Sequence, residues 1–154
     1  MSPATAGYDA LVSSLRAPAP RPCESCPYRR DVPSGIWAEA EYDKLPRYDA
    51  DTAHQPPQLF QCHQHDAGSG TARVCGGWAA CHGPDLLAPR IALIEERIDP
   101  ATFQAITEYT SPVPLFATGA EAAAHGRKDI DLPGKDAENA MNKISRNRNS
   151  ISPH

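Results

Sequence analysis

Pro22-Cys23-Glu24-Ser25-Cys26-Pro27-Tyr28-Arg29-Arg30 is the stretch on which the reading of this chain turns. A two-residue gap lets the thiolates of Cys23 and Cys26 point into one tight turn, and cysteines from a second loop can then complete an all-sulfur site. Cys62 and Cys75 are the natural completion, with 35 residues between Cys26 and Cys62 and 12 between Cys62 and Cys75. Cys81, His63 and His82 lie in the same region and are possible substitutes, since cysteine and histidine are both zinc ligands. Four protein sulfurs leave no open coordination position. The expected role is therefore structural or sensory, and the protein is expected not to be an enzyme.

The rest of the composition suits a domain that needs such a staple. With 154 residues, 40% of them apolar and only three Phe and two Trp, the chain can build one domain with a modest core. Sixteen Pro and ten Gly break regular elements, which predicts a mainly α, loop-rich, metal-stabilised fold with short helices and little β. A net charge of −4 gives no global drive toward nucleic acid, and no apolar run reaches the length of a membrane span, so no membrane partner is expected. Ala10-Leu11-Val12 is too short for a secretory signal core, which points to the cytoplasm. An odd count of five cysteines in that reducing compartment suits ligands or free thiols better than disulfides.

Along the chain, the Ala-Pro run before Cys23 predicts a disordered lead-in over residues 1–22. A metal-binding helical domain over 23–126 and a polar tail over 127–154 follow. Ser34 is a candidate N-cap for a helix from Gly35 to Leu45, stopped by Pro46. Asp85 can open a helix to Ile98, with Leu87, Ile91, Ile94 and Ile98 inward. Asp99-Pro100 opens another to about Tyr109, with Phe103 and Ile106 inward. An Ala-rich helix is expected at 119–125. Residues 59–62 read as a short extended segment delivering Cys62, and Asp66 to Gly70 as a turn. Gly76-Gly77, directly after Cys75, permit positive φ and let backbone N–H groups approach a sulfur.

These residues resemble a family of small, uncharacterised cysteine-rich proteins of bacteria and phages known only as a domain of unknown function. The shared pattern is Cys-x-x-Cys-Pro-aromatic-Arg, then aromatic-x-Cys-His, then Cys-x-Gly. It is carried here by Cys23, Cys26-Pro27-Tyr28-Arg29, Phe60-Gln61-Cys62-His63 and Cys75-Gly76-Gly77, across residues 22 to 82. The resemblance implies a shared four-cysteine site and no particular activity. Cys23 to Arg29 with Gly35-Ile36-Trp37 is also similar to the WhiB-like iron-sulfur regulators. Those proteins place a further cysteine soon after the arginine, where this chain has none until Cys62.

A [4Fe-4S] cluster is placed slightly ahead of Zn2+ as the bound group. Cys26-Pro27, the single Cys-x-x-Cys and aromatic shielding by Tyr28, Trp37 and Trp78 favour the cluster; generic four-thiolate chemistry favours zinc. A nucleobase-deaminase reading fails, because no histidine precedes Cys23. The expected function is that of an accessory or regulatory protein that binds an unidentified protein partner. The alternative is a redox or electron-transfer protein using the cluster or the Cys23/Cys26 pair. Residues 127–154 carry six basic and four acidic side chains, so weak, salt-sensitive nucleic-acid contact is expected only from that tail.

Overall fold

The computed structural model describes residues 15–62 and 72–151. It is mainly helical, small and loop-rich, as the proline and glycine content predicts. Among the described residues six α-helices follow in order: α1 Glu39–Asp43, α2 Gly76–His82, α3 Ala88–Ile94, α4 Pro100–Thr107, α5 Gly119–Arg127 and α6 Lys135–Ile151. Extended structure among the described residues is confined to isolated bridges, Arg16 with Arg73, Arg29 with Leu115 and Gln61 with Val74.

The helix expected from Gly35 begins only at Glu39, for a reason that lies in the Tyr42 and Ser34 side chains. The Tyr42 hydroxyl accepts the N–H groups of Ile36 and Trp37, both at 3.1 Å, so these groups are satisfied without a helical turn. Ser34 does not cap it either. Its hydroxyl donates to the Gly126 carbonyl at 3.0 Å and accepts the Asp129 N–H at 2.8 Å. Gly35 sits between at φ +83, a conformation that glycine adopts without strain. Pro46 does not end the chain's curl but opens a 3-10 turn, Leu45–Asp49, that buries Leu45 and Tyr48.

Helix α4 starts where Asp99-Pro100 places it, with the Asp99 carboxylate accepting the Thr102 N–H at 2.7 Å. Helix α3 is shorter and rotated relative to expectation. It starts after Asp85, with Pro89 in its first turn, and buries Ala88, Pro89 and Ala92, which leaves Ile94 81% exposed rather than inward. Helix α5 is held at its start by Thr118, whose hydroxyl accepts the Glu121 N–H at 3.1 Å. The Asp49 carboxylate accepts the N–H groups of Gly119 at 2.7 Å and Ala120 at 2.8 Å.

The main core joins Tyr28, Tyr42, Leu45, Trp78, Leu86, Ile106, Ala122 and Ala123. Two glycines of α5 let it close against this core. A Cβ on Gly119 would meet the Leu45 carbonyl, and one on Gly126 would run into the Tyr42 ring. Tyr42 cannot swing away cheaply, since its hydroxyl holds two backbone donors. Gly126→Ala is expected to cost about 1–3 kcal/mol through overpacking, read as a lower urea midpoint at unchanged slope.

Both ends of the domain extend beyond the expected boundaries. Arg16 donates its N–H to Ala72 and accepts from Val74, both at 2.9 Å, and Pro22 is fully buried, so residues 15–22 are tied to the domain. In the polar tail, α6 lays Ala137 and Ile144 on Val32 and Ile36, a second small core. A boundary at 126 would strip that core and remove Asp129 from Ser34.

Candidate metal centre

The knuckle around Cys23 and Cys26 is a hydrogen-bonded turn: Cys26 N–H donates to the Cys23 carbonyl at 3.0 Å and Arg29 N–H to the Cys26 carbonyl at 3.1 Å. Arg29 braces it from outside. Its guanidinium donates to the Pro22 carbonyl at 3.0 Å while pairing with the Asp31 carboxylate at 2.7 Å. The other two cysteines come from the Gln61–Val74 bridge, where Cys62 N–H donates to Arg73 at 2.8 Å and Cys75 N–H to Phe60 at 2.7 Å. Because side chains alternate along extended chain, Cys62 and Cys75 fall on one face of this ribbon, opposite to Gln61 and Val74. A spacing of 13 in sequence thus becomes a shared direction in space.

Cys26 Sγ lies 3.8 Å from Cys75 Sγ, and Cys23 Sγ lies 3.9 Å from Ser25 Oγ. Cys26 and Cys62 both act on the Cys23 thiol. Among the described residues no group of three or more cysteine, histidine or carboxylate side chains is arranged so that it could hold a metal ion. All the cysteines are free thiols. Cys26 and Cys75 are buried, Cys23 and Cys62 half-buried.

Contact and burial keep the Cys23 and Cys26 thiols protonated. The Cys26 contact, with burial and against the opposing pull of Cys62, pushes Cys23 from 9.0 up to about 12. For Cys26 the Cys23 contact pulls down, but the Cys75 contact and burial outweigh it and hold the thiol well above its ordinary value. A metal binds thiolate, so loading must expel these protons. At neutral pH at least two protons should appear in solution per metal ion bound, measured by calorimetry in buffers of different ionisation enthalpy. The pH slopes should also oppose. The raised Cys23 value stabilises the metal-free fold fully below pH 9.0 and is lost as pH rises through about 12, whereas metal affinity falls with acid.

A backbone donor already faces one of the sulfurs. Cys75 caps α2, its Sγ accepting the Trp78 N–H at 3.4 Å. Gly76 and Gly77 are helical rather than at positive φ; what they supply is space. A Cβ on Gly77 would overlap Cys26 Sγ and come within 2.7 Å of Tyr28 Cβ, while one on Gly76 would lie 2.8 Å from the Tyr109 hydroxyl. Tyr109 had no signal in the sequence, because only the packing of α4 against α2 brings it here.

The alternative ligands take other contacts. Cys81 Sγ donates to the Ala117 carbonyl at 3.5 Å, and burial, with Asp49 and Glu121 nearby, pushes it up to about 12. His82 Nε2 faces the Tyr28 hydroxyl at 3.4 Å and the Asp49 carboxylate at 3.9 Å, and burial lowers its pKa. His63 and the turn from Asp66 to Gly70 lie outside the described residues. Trp37 donates its indole N–H to the Ser25 carbonyl at 3.0 Å, inside the knuckle. Trp78 is fully buried, edge-on to Tyr48 at 5.5 Å between ring centroids.

A family model described as a family of unknown function, DUF6283, matches residues 18–148. The chain belongs to the DUF6283 family. The matched region begins at Pro18 and runs into α6, so the DUF6283 domain takes in both ends that the boundaries at 23 and 126 leave out. The comparisons with curated proteins and with solved structures give no match. Among the described residues no helix is long and apolar enough to cross a membrane.

Proposed function

We propose that Cys23, Cys26, Cys62 and Cys75 hold one zinc ion and that this DUF6283 protein is an accessory or regulatory binding protein whose partner surface the ion orders. The observation that carries the choice of ion is the 3.8 Å between Cys26 Sγ and Cys75 Sγ. Zinc–sulfur bonds of about 2.3 Å in a tetrahedron set the sulfurs about 3.8 Å apart. In a [4Fe-4S] cluster the ligating thiolates sit on separate irons and must stand farther apart, which moves the cluster behind zinc.

With four thiolates the ion has no free position, so this chain's residues position loops and exclude water rather than activate it. The ion would tie together the knuckle, the Cys62 strand segment and the start of α2, three stretches far apart in sequence. A cytoplasmic setting accords with five free thiols. The rival reading, a Cys23/Cys26 redox pair, draws on the contact between those two thiols. Against it, their raised pKa values leave little thiolate to attack a disulfide. Purification followed by elemental analysis tests the proposal: one zinc per chain and no visible absorption is expected, and brown protein containing iron would replace zinc by the cluster.

A further inference from the structure

We infer that Arg16, Arg21 and Arg73 form a docking row for the phosphate backbone of a nucleic-acid strand, a contact that does not depend on the zinc reading. Arg16 and Arg73 face each other across a parallel bridge, with the Arg16 N–H donating to the Ala72 carbonyl and the Val74 N–H to the Arg16 carbonyl, both at 2.9 Å. Bridged strands run about 5 Å apart and bridge partners point the same way, so the two side chains leave the backbone side by side. Like charges placed in this way repel, and an anion between them removes the cost. The protein supplies none. Among the described residues the ion pairs with lysine or arginine use Arg29, Lys44, Arg97, Arg127 and Lys143, and no carboxylate forms an ion pair with Arg16, Arg21 or Arg73.

The fold lays these charges out in a line. Arg16 is exposed, while Arg73 is half-buried and spends one guanidinium N–H on the Ala17 carbonyl at 3.2 Å, which holds its charge against the strand that follows Arg16. Five positions on, Arg21 is exposed beside Pro22, which is fully buried and so fixes that end of the row. The proline-rich link between them keeps the ends apart, at most about 18 Å. A duplex strand carries a phosphate per about 3.4 Å of axis, so the row can follow several. A single phosphate would engage only the Arg16–Arg73 pair; the further arginine at 21 favours a polymer of regularly spaced phosphates. Residues 15–30 hold four arginines against one acidic side chain, Glu24, which already pairs with Lys143. The local field is therefore positive although the whole chain carries −4. All members of the row are arginine, whose planar fork matches phosphate oxygens.

The test is fluorescence anisotropy of the full chain with a labelled single-stranded DNA of about 20 nucleotides, titrated with salt. Arg16→Gln combined with Arg21→Gln removes two exposed side chains that make no hydrogen bond among the described residues, so the fold should survive, as an unchanged melt will show. The slope of log affinity against log salt should become shallower by about 1.4, and by about 2 with Arg73→Gln added, at about 0.7 per phosphate contact. Lysine at all three positions should restore the slope. A slope that the glutamine variants leave unchanged but that Lys143→Gln with Arg146→Gln abolishes would overturn the row and move the contact to α6. Wild-type protein that binds no DNA at about 50 mM salt would overturn it as well. Neither result touches the zinc content, so failure here leaves the zinc reading standing.

Discussion

Cys26→Ser and Cys75→Ser should each abolish stoichiometric zinc binding, whereas Cys81→Ser should keep one ion per chain. The first two remove the sulfurs that sit 3.8 Å apart in the buried half of the centre. Serine there cannot supply a thiolate, and the weakly acidic hydroxyl would remain protonated and buried. Cys23→Ser and Cys62→Ser should also lose the ion, as the other two ligands of the proposed four-sulfur site. Cys81 instead points at the Ala117 carbonyl, so its loss should cost only a small packing term. Metal analysis of the five single variants reads this directly. Loss of metal from Cys81→Ser together with retention in Cys62→Ser would reassign the ligands.

Removing the metal from the native protein should unfold most of the domain. Structural zinc contributes about 10–16 kcal/mol of binding free energy in small domains, while the net stability of a whole domain is only about 5–15 kcal/mol. The ion term is therefore as large as everything else combined. The knuckle, the Cys62 segment and α2 border Tyr28, Phe60, Val74 and Trp78, which are all buried in the main core, so loosening the centre opens that core as well. Chelation should collapse the near-UV circular dichroism of Trp78 and its tyrosine neighbours and remove the cooperative melt. The exposed pair between Lys143 and Glu24, which joins α6 to the knuckle, adds little of its own and will not hold the two together. A metal-free chain that still melts cooperatively at the same temperature would refute the dependence.

The parts of this molecule that could be read from sequence are those whose causes are local. Asp99-Pro100 carries its own cap and produced α4 at the expected start. The Cys23–Cys26 turn is closed by bonds between residues three apart, so its spacing was sufficient to find it. Where the cause is distant, the pattern misled. Nothing near Gly35 announces that the Tyr42 hydroxyl will take the N–H groups of Ile36 and Trp37 and delay the helix. Ile94 shares a helical stripe with Ile91 and Leu87, yet Pro89 starts α3 late and small residues, Ala88 and Ala92, make the contact. Helix α6 was hidden by its polarity, because among its described side chains only Ala137 and Ile144 are buried against Val32 and Ile36. The resemblance placed the chain in a family of unknown function from residues 22 to 82, and the family match spans 18–148. Tyr109 had no signal in the sequence, since it comes to lie by Gly76 only through the packing of α4 against α2.

X-ray absorption at the zinc edge of protein purified from cells tests the central claim most directly. The account predicts one zinc per chain with four sulfur ligands at about 2.3 Å and no nitrogen or oxygen in the first shell. Iron with iron–iron scattering, a mixed sulfur and nitrogen shell, or no bound metal in freshly purified, correctly folded protein would contradict it.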